Sequence, residues 1–228
     1  MRIYFKNSMK SIVFAWVCLF FSPIAQADAQ TDYFRAISVD NESAVIELAL
    51  FNFDLNVLNE KGEHALHVAL AQGSHRVAAF LLKQRILKVD LPNQQGETPL
   101  MLAAIKGELD IARQLIARGA AVNKPGWTPL HYATSNPDPG SAQMVSLMLE
   151  HHAYIDAASP NKTTPLMMAA FYGSEDAARL LLEEGADASL RNDLGMTAID
   201  FALKAERSGL AEALANAMKG AQPIKGRW

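Results

Sequence analysis

The residues of this chain best equipped for chemistry are its six histidines, and two groupings among them stand out, His64 with His67 and His151 with His152. His64 and His67 are three apart, which places both rings on one face of a helix and could begin a zinc site. A tetrahedral site needs three or four converging ligands, and the spacing aligns only two at a time. No metal is expected on this ground. Catalytic sets are equally absent from the sequence: there is no glycine-rich phosphate loop, no Gly-x-Ser-x-Gly, no His-Glu-x-x-His, and no Ser, His and Asp set in matching register. The expectation is a protein with no enzymatic centre and no cofactor.

What must position these side chains is a recurring phrase. Thr98-Pro99-Leu100-Met101, Thr128-Pro129-Leu130-His131 and Thr164-Pro165-Leu166-Met167 are close copies of one another. Weaker copies start at Thr31, His64 and Thr197, so the six starts are spaced by 33, 34, 30, 36 and 33 residues. A period near 33 is the mark of stacked supersecondary units, none of which can bury its apolar face until a neighbour covers it.

The unit from Gly96 to Asn123 shows the physical reason for each part. Thr98 is a natural N-cap and Pro99 suits the first helical position, where a missing N–H costs nothing. A first helix then buries Leu100, Ala103 and Ala104, and Gly107 turns the chain. A second helix carries Ile111, Ala112, Leu115 and Ile116 at helical spacing, and Gly119 ends it in the left-handed conformation. A short hairpin-like loop leads to the next cap. In these residues the chain resembles the ankyrin-repeat family, from about Thr31 to Ala217. The resemblance implies an all-α solenoid of about six helix-turn-helix repeats with short hairpin loops. His67 and His131 fall on the family's own histidine position, a structural hydrogen-bonder at the start of the first helix. His64 stands in for the capping Thr, and His152 sits where Gly119 and Gly185 end their helices. Asp200 departs from the family's histidine, as Asp32 and Tyr33 depart from Pro-Leu, so both end units read as caps.

The middle of the chain breaks the pattern. Only Lys124, Pro125, Gly126 and Trp127 separate Asn123 from Thr128, whereas seven residues separate Asn56 from His64. One hairpin finger is short by about three residues. Directly afterwards the turn inside the same unit is enlarged to Ser135-Asn136-Pro137-Asp138-Pro139-Gly140. By resemblance, the hairpin tips and the last turn of each first helix line one concave binding face. Those positions hold Ile105, Lys106, Ser135, Asn136, Phe171 and Tyr172 on helices, and Trp127 and Met196 on hairpins. Large apolar side chains that contribute nothing to the core are the kind that anchor protein interfaces. The expected partner-binding set is therefore Trp127, Ile105, Lys106, Phe171, Tyr172, Met196, Ser135 and Asn136, centred on the notch left by the short finger.

Residues 1–27 differ from all that follows. Arg2, Lys6 and Lys10 precede an apolar run from Ile12 to Phe21, and Ala25-Gln26-Ala27 is a small-x-small cleavage site. The run falls well short of the roughly 20 apolar residues a spanning helix needs, so a cleaved signal peptide is expected, leaving a periplasmic or secreted domain over 28–217 and a flexible tail over 218–228. The single cysteine, Cys18, leaves with that segment. The whole chain carries 21 basic and 24 acidic side chains, and loss of three basic residues leaves 18 against 24, a net charge of −6. A mildly acidic surface argues against nucleic acid or an anionic membrane as partner. The sequence reading is a non-enzymatic protein-binding module that supports or scaffolds another protein. The alternatives are an inhibitor or immunity protein against an enzyme or toxin, and a secreted effector acting on host proteins. Intact-mass analysis of the exported protein should place its first residue at Asp28, because no later site follows an apolar run. Recovery of Met1 to Ala27 in a membrane fraction would overturn export in this form.

Overall fold

The computed structural model describes residues 23–220. Residues 1–22, with most of the expected signal segment and Cys18, and residues 221–228, with Trp228, lie outside them. The described residues form helices and loops, with one isolated antiparallel bridge between Leu58 and His64. They fall into two compact units, within Met1–Leu87 and Lys88–Trp228.

The first unit holds α1 (Pro23–Ser38), α2 (Glu42–Leu50), α3 (Ala65–Gln72) and α4 (His75–Lys83). Helix α1 packs on α2 and α3, and α4 packs on α2 and α3, so two antiparallel pairs stack side by side. Tyr33, Ala36 and Ile37 of α1 are buried, and all three follow the expected cut after Ala27. Across the pair, Ser74 Oγ donates to the Ile37 carbonyl at 2.6 Å and Asp40 accepts from the Val77 amide at 2.9 Å.

The second unit repeats the pair four times. Its first helices are α5 (Pro99–Lys106), α7 (Pro129–Thr134), α9 (Pro165–Phe171) and α11 (Ala198–Lys204). Its second helices are α6 (Leu109–Ala117), α8 (Ser141–Glu150), α10 (Glu175–Glu183) and α12 (Ser208–Gly220). The first helices stack in one layer in the order α5, α7, α9, α11, and the second helices stack behind them as α6, α8, α10, α12. Leu100, Leu130, Leu166 and Leu115 are fully buried between the layers, and Ala103, Ala133 and Ala169 let the helices approach closely. Helix α12 runs to Gly220, three residues past the boundary at Ala217.

Every first helix from α3 onward begins in a buried box. The Thr98, Thr128, Thr164 and Thr197 side chains accept from the backbone of the residue three further on. That residue answers: Nδ1 of His67 and of His131 accepts from the cap backbone at 3.2 Å, and an Asp200 oxygen does so at 2.7 Å. Asp200 thus performs the bond of the histidine it replaces. His64 caps α3 through its ring, which accepts from the Leu66 amide. His152 adopts a φ of 63° where Gly119 and Gly185 have 89° and 95°, so a side chain occupies a conformation that favours glycine.

Neighbouring repeats are also laced at the base of each hairpin. In the second unit the Ala121 amide donates to the Asp90 carboxylate, Tyr154 N–H to Asn123 Oδ1 at 2.9 Å, and Asp187 N–H to Asp156 Oδ1 at 3.1 Å. Burial pushes the Asp90 and Asp156 carboxyls above the usual carboxylate range, and the Asp187 charge adds to the effect on Asp156. A raised carboxyl contributes most below the ordinary carboxylate pKa, and that contribution is lost as pH rises through the shifted value. Asn123 makes the same bond without a charge. Asp156→Asn should therefore raise stability at pH 7 by roughly 0.5 kcal/mol, given the partial exposure of the group, and the gain should disappear near pH 3. Chemical denaturation at the two pH values measures it. Gly173 is constrained by a close approach: a Cβ there would lie 2.9 Å from Ala169 Cα and nearer still to the Thr134 carbonyl oxygen. Gly173→Ala should cost about 1–3 kcal/mol as α7 and α9 are forced apart, read as a lowered denaturation midpoint.

Candidate functional site

Four fingers share one internal device. Asn59, Asn93 and Asn192 each accept, through Oδ1, from backbone amides two and four residues on. Ser159 does the same for the Thr163 amide with its hydroxyl. The stretch from Lys124 to Trp127 has too few residues for such a turn. It is held from outside instead: Lys124 Nζ donates to the Gly96 carbonyl at 3.0 Å, and a Cβ on Gly126 would meet Pro160 at 3.6 Å. A gap is left in the row between the fingers that start at Asn93 and Ser159.

Trp127 takes the place that Glu97, Thr163 and Met196 occupy just before the neighbouring caps. It is half-buried, edge-on to the His131 ring with centroids 5.2 Å apart. Behind the gap, each first helix presents residues four and seven beyond its cap. The first row reads Leu102, Tyr132, Met168, Phe201 and the second Ile105, Ser135, Phe171, Lys204. Ser135 is the small member of the second row, and a depression of about 370 Å³ opens over it. Ile105 and Tyr172, 38% and 55% exposed, form its rim, with Trp127, Tyr132, His131 and Met168 completing the lining.

Three polar side chains of this lining, those of His131, Tyr132 and Ser135, are engaged within the protein. Because His131 Nδ1 accepts from the Thr128 amide, the ring proton sits on Nε2 and donates to the Thr163 carbonyl at 3.0 Å. Burial holds the His131 pKa below the ordinary histidine value, so the ring is neutral. Tyr132 donates to Glu97 at 2.9 Å, and its phenol pKa is raised by burial and by that bond. Ser135 Oγ donates to the His131 carbonyl at 2.7 Å. Among the described residues no three His, Cys, Asp or Glu side chains converge to hold a metal ion, and no helix is long and apolar enough to cross a membrane.

Of the eight residues expected to bind a partner, Trp127, Ile105, Ser135 and Tyr172 meet in this depression. Phe171 lies beside it, packed at 4.5 Å on Tyr172 and 6.1 Å on Phe201, and props the rim. Lys106 is exposed next to Ile105. Asn136 is different from the expectation: it is only 4% exposed, turned inward against Gly107 and accepting from the Asp138 amide, so it offers nothing to a partner. Met196 is not part of the lining and takes Lys204 Nζ on its sulfur. Tyr132 and Met168 were not among the expected residues. Their signal was present, since each lies three positions before a chosen residue on the same helical face.

A repeat scaffold carrying an exposed apolar depression defines a protein-binding module. The chain belongs to the ankyrin-repeat family, whose model matches residues 33–125, 87–159 and 140–225, and ankyrin repeats mediate protein–protein interaction. It is 36% identical over 145 residues to the mouse nuclear factor NF-kappa-B p105 subunit, covering 61% of this chain. It is 30% identical over 167 residues to the mouse B-cell lymphoma 3 protein homolog, covering 70% of this chain and 35% of that protein. The chain spans 15% of the length of the mouse p105 subunit and 17% of the chicken one. Among solved structures it is similar to the immunity protein bound to a predatory endopeptidase of Bdellovibrio bacteriovorus. That likeness has a TM-score of 0.70 at 29% identity and covers 81% of this chain and 97% of the other.

Proposed function

We propose that this protein is an exported immunity-type inhibitor that binds an endopeptidase in the periplasm and acts by binding, not by catalysis. The observation that carries this reading is the likeness to an immunity protein bound to an endopeptidase, which extends over 97% of that protein's length. The chain spans only 15% and 17% of the two p105 subunits and 35% of the B-cell lymphoma 3 protein homolog. The amino-terminal signal pattern supports export, since a basic start, an apolar run and Ala25-Gln26-Ala27 are what a signal peptidase reads. Between support and inhibition of a partner, the likeness favours inhibition.

The binding surface in this reading centres on Trp127, Ile105 and Tyr172. Each presents apolar area to water that the core does not require, and such residues dominate interface energies. The test is to cross-link the tagged protein in the periplasm of its own cell, identify the peptidase captured, and assay that peptidase with and without the purified chain. Equimolar chain should suppress hydrolysis. Trp127→Ala and Tyr172→Ala should each cost about 2 kcal/mol or more of binding, whereas Gln94→Ala on the neighbouring finger should cost roughly 0 to 1. A captured peptidase whose rate is unchanged or raised would overturn inhibition.

A further inference from the structure

The gap differs from an ordinary exposed edge in what it offers a partner's backbone. Where two whole fingers are adjacent, the Asp193 amide donates to the Asn161 carbonyl at 3.0 Å and Lys162 pairs with Asp193 at 2.8 Å. At the gap the position matching Asp193 is Pro160, which has no N–H to give. On the other side the Gly96 carbonyl is already taken by Lys124. The Pro160 flank is thus blunted against strand or hairpin pairing.

The depression behind the gap is likewise selective. The donors of His131, Tyr132 and Ser135 are spent on Thr163, Glu97 and the His131 carbonyl, so a polar side chain seated over Ser135 would find none of these three to replace its water. An apolar one loses nothing. Tyr172 separates this depression from a second of about 390 Å³, walled by Pro137 and Pro139 on one side and by Glu175 and Asp176 on the other. The cations near that wall are engaged: Arg207 donates to the Ala169 and Ala170 carbonyls, and Arg179 grips Glu175 at 2.6 Å. Asp176 makes none of the described ion pairs and is exposed. The groove is polarised, with Lys106 beyond the Ile105 rim and Asp176 beyond the Tyr172 rim.

From these observations we infer that the gap accepts a partner's loop by side-chain insertion, taking a large apolar side chain over Ser135 and seating the following basic residue against Asp176. This builds on the binding role proposed above, but its test needs no endopeptidase, so either can fail without the other. Three blocked peptides serve as probes, with central pairs Leu-Arg, Leu-Glu and Ser-Arg between glycines. Each is titrated into the full chain while the Trp127 indole N–H resonance is followed. Burying one leucine limits the dissociation constant to about 10 mM or weaker. The Leu-Arg peptide should shift the resonance in that range, Leu-Glu should bind about two- to fivefold more weakly, and Ser-Arg should not bind. Ser135→Leu, which restores a large residue to a row that already holds Ile105 and Phe171, should abolish the shift while leaving the melting transition in place. Asp176→Asn should erase the difference between Leu-Arg and Leu-Glu. No shift with any peptide, equal binding of all three, or a shift that survives in folded Ser135→Leu would overturn the inference.

Discussion

The buried start of each first helix is the constraint on which the rest depends. The caps His64, Thr98, Thr128, Thr164 and Thr197 are 0–6% exposed, so their backbone amides cannot turn to water. An unmet buried amide costs about 1–3 kcal/mol, and the reciprocal bond between the cap and the residue three further on removes that cost. The same bond fixes where each helix begins relative to the finger before it. Positions four and seven beyond the cap consequently emerge on one face in every repeat, and the rows that line the depression follow from that registry.

This registry also explains how the chain loses most of a finger without losing the repeat. Thr128 keeps its bonds with His131, and Asn123 still reaches Tyr154 and the His152 carbonyl in the next repeat. The second helices continue to stack behind. What goes missing is the tip alone, and with it the cover over Trp127. The added residues after Ser135 act at the other end of the same helix: they fold back through Asn136 and leave Pro137 and Pro139 beside Tyr172. A deletion and an insertion in one repeat thus open a surface while the core beneath stays closed.

His64, His67 and His131 are parts of that registry. His131 uses Nδ1 on the cap and Nε2 on the next repeat, which leaves neither nitrogen facing outward. His67 is engaged with the backbone of His64, and His152 serves a helix end in a left-handed conformation. A ring whose nitrogens are committed to buried backbone groups cannot turn to a metal without orphaning them.

The repeat, the caps, the helix pairs and the place of the short finger are all legible in the chain, because each of these rests on contacts within a few residues. Thr-Pro-Leu, a closing glycine and a count of residues between caps suffice for them. Which of the irregular residues are exposed is instead fixed by packing between repeats. Lys106, Asn136 and Tyr172 all stand eight positions beyond their caps, yet Lys106 and Tyr172 are exposed while Asn136 is buried against Gly107 of the preceding repeat. Phe171 and Ile105 also occupy equivalent positions, but Phe201 of the following repeat packs on the former. Exposure at such sites is set by side chains some 30 residues away in the chain, and no local pattern carries that information.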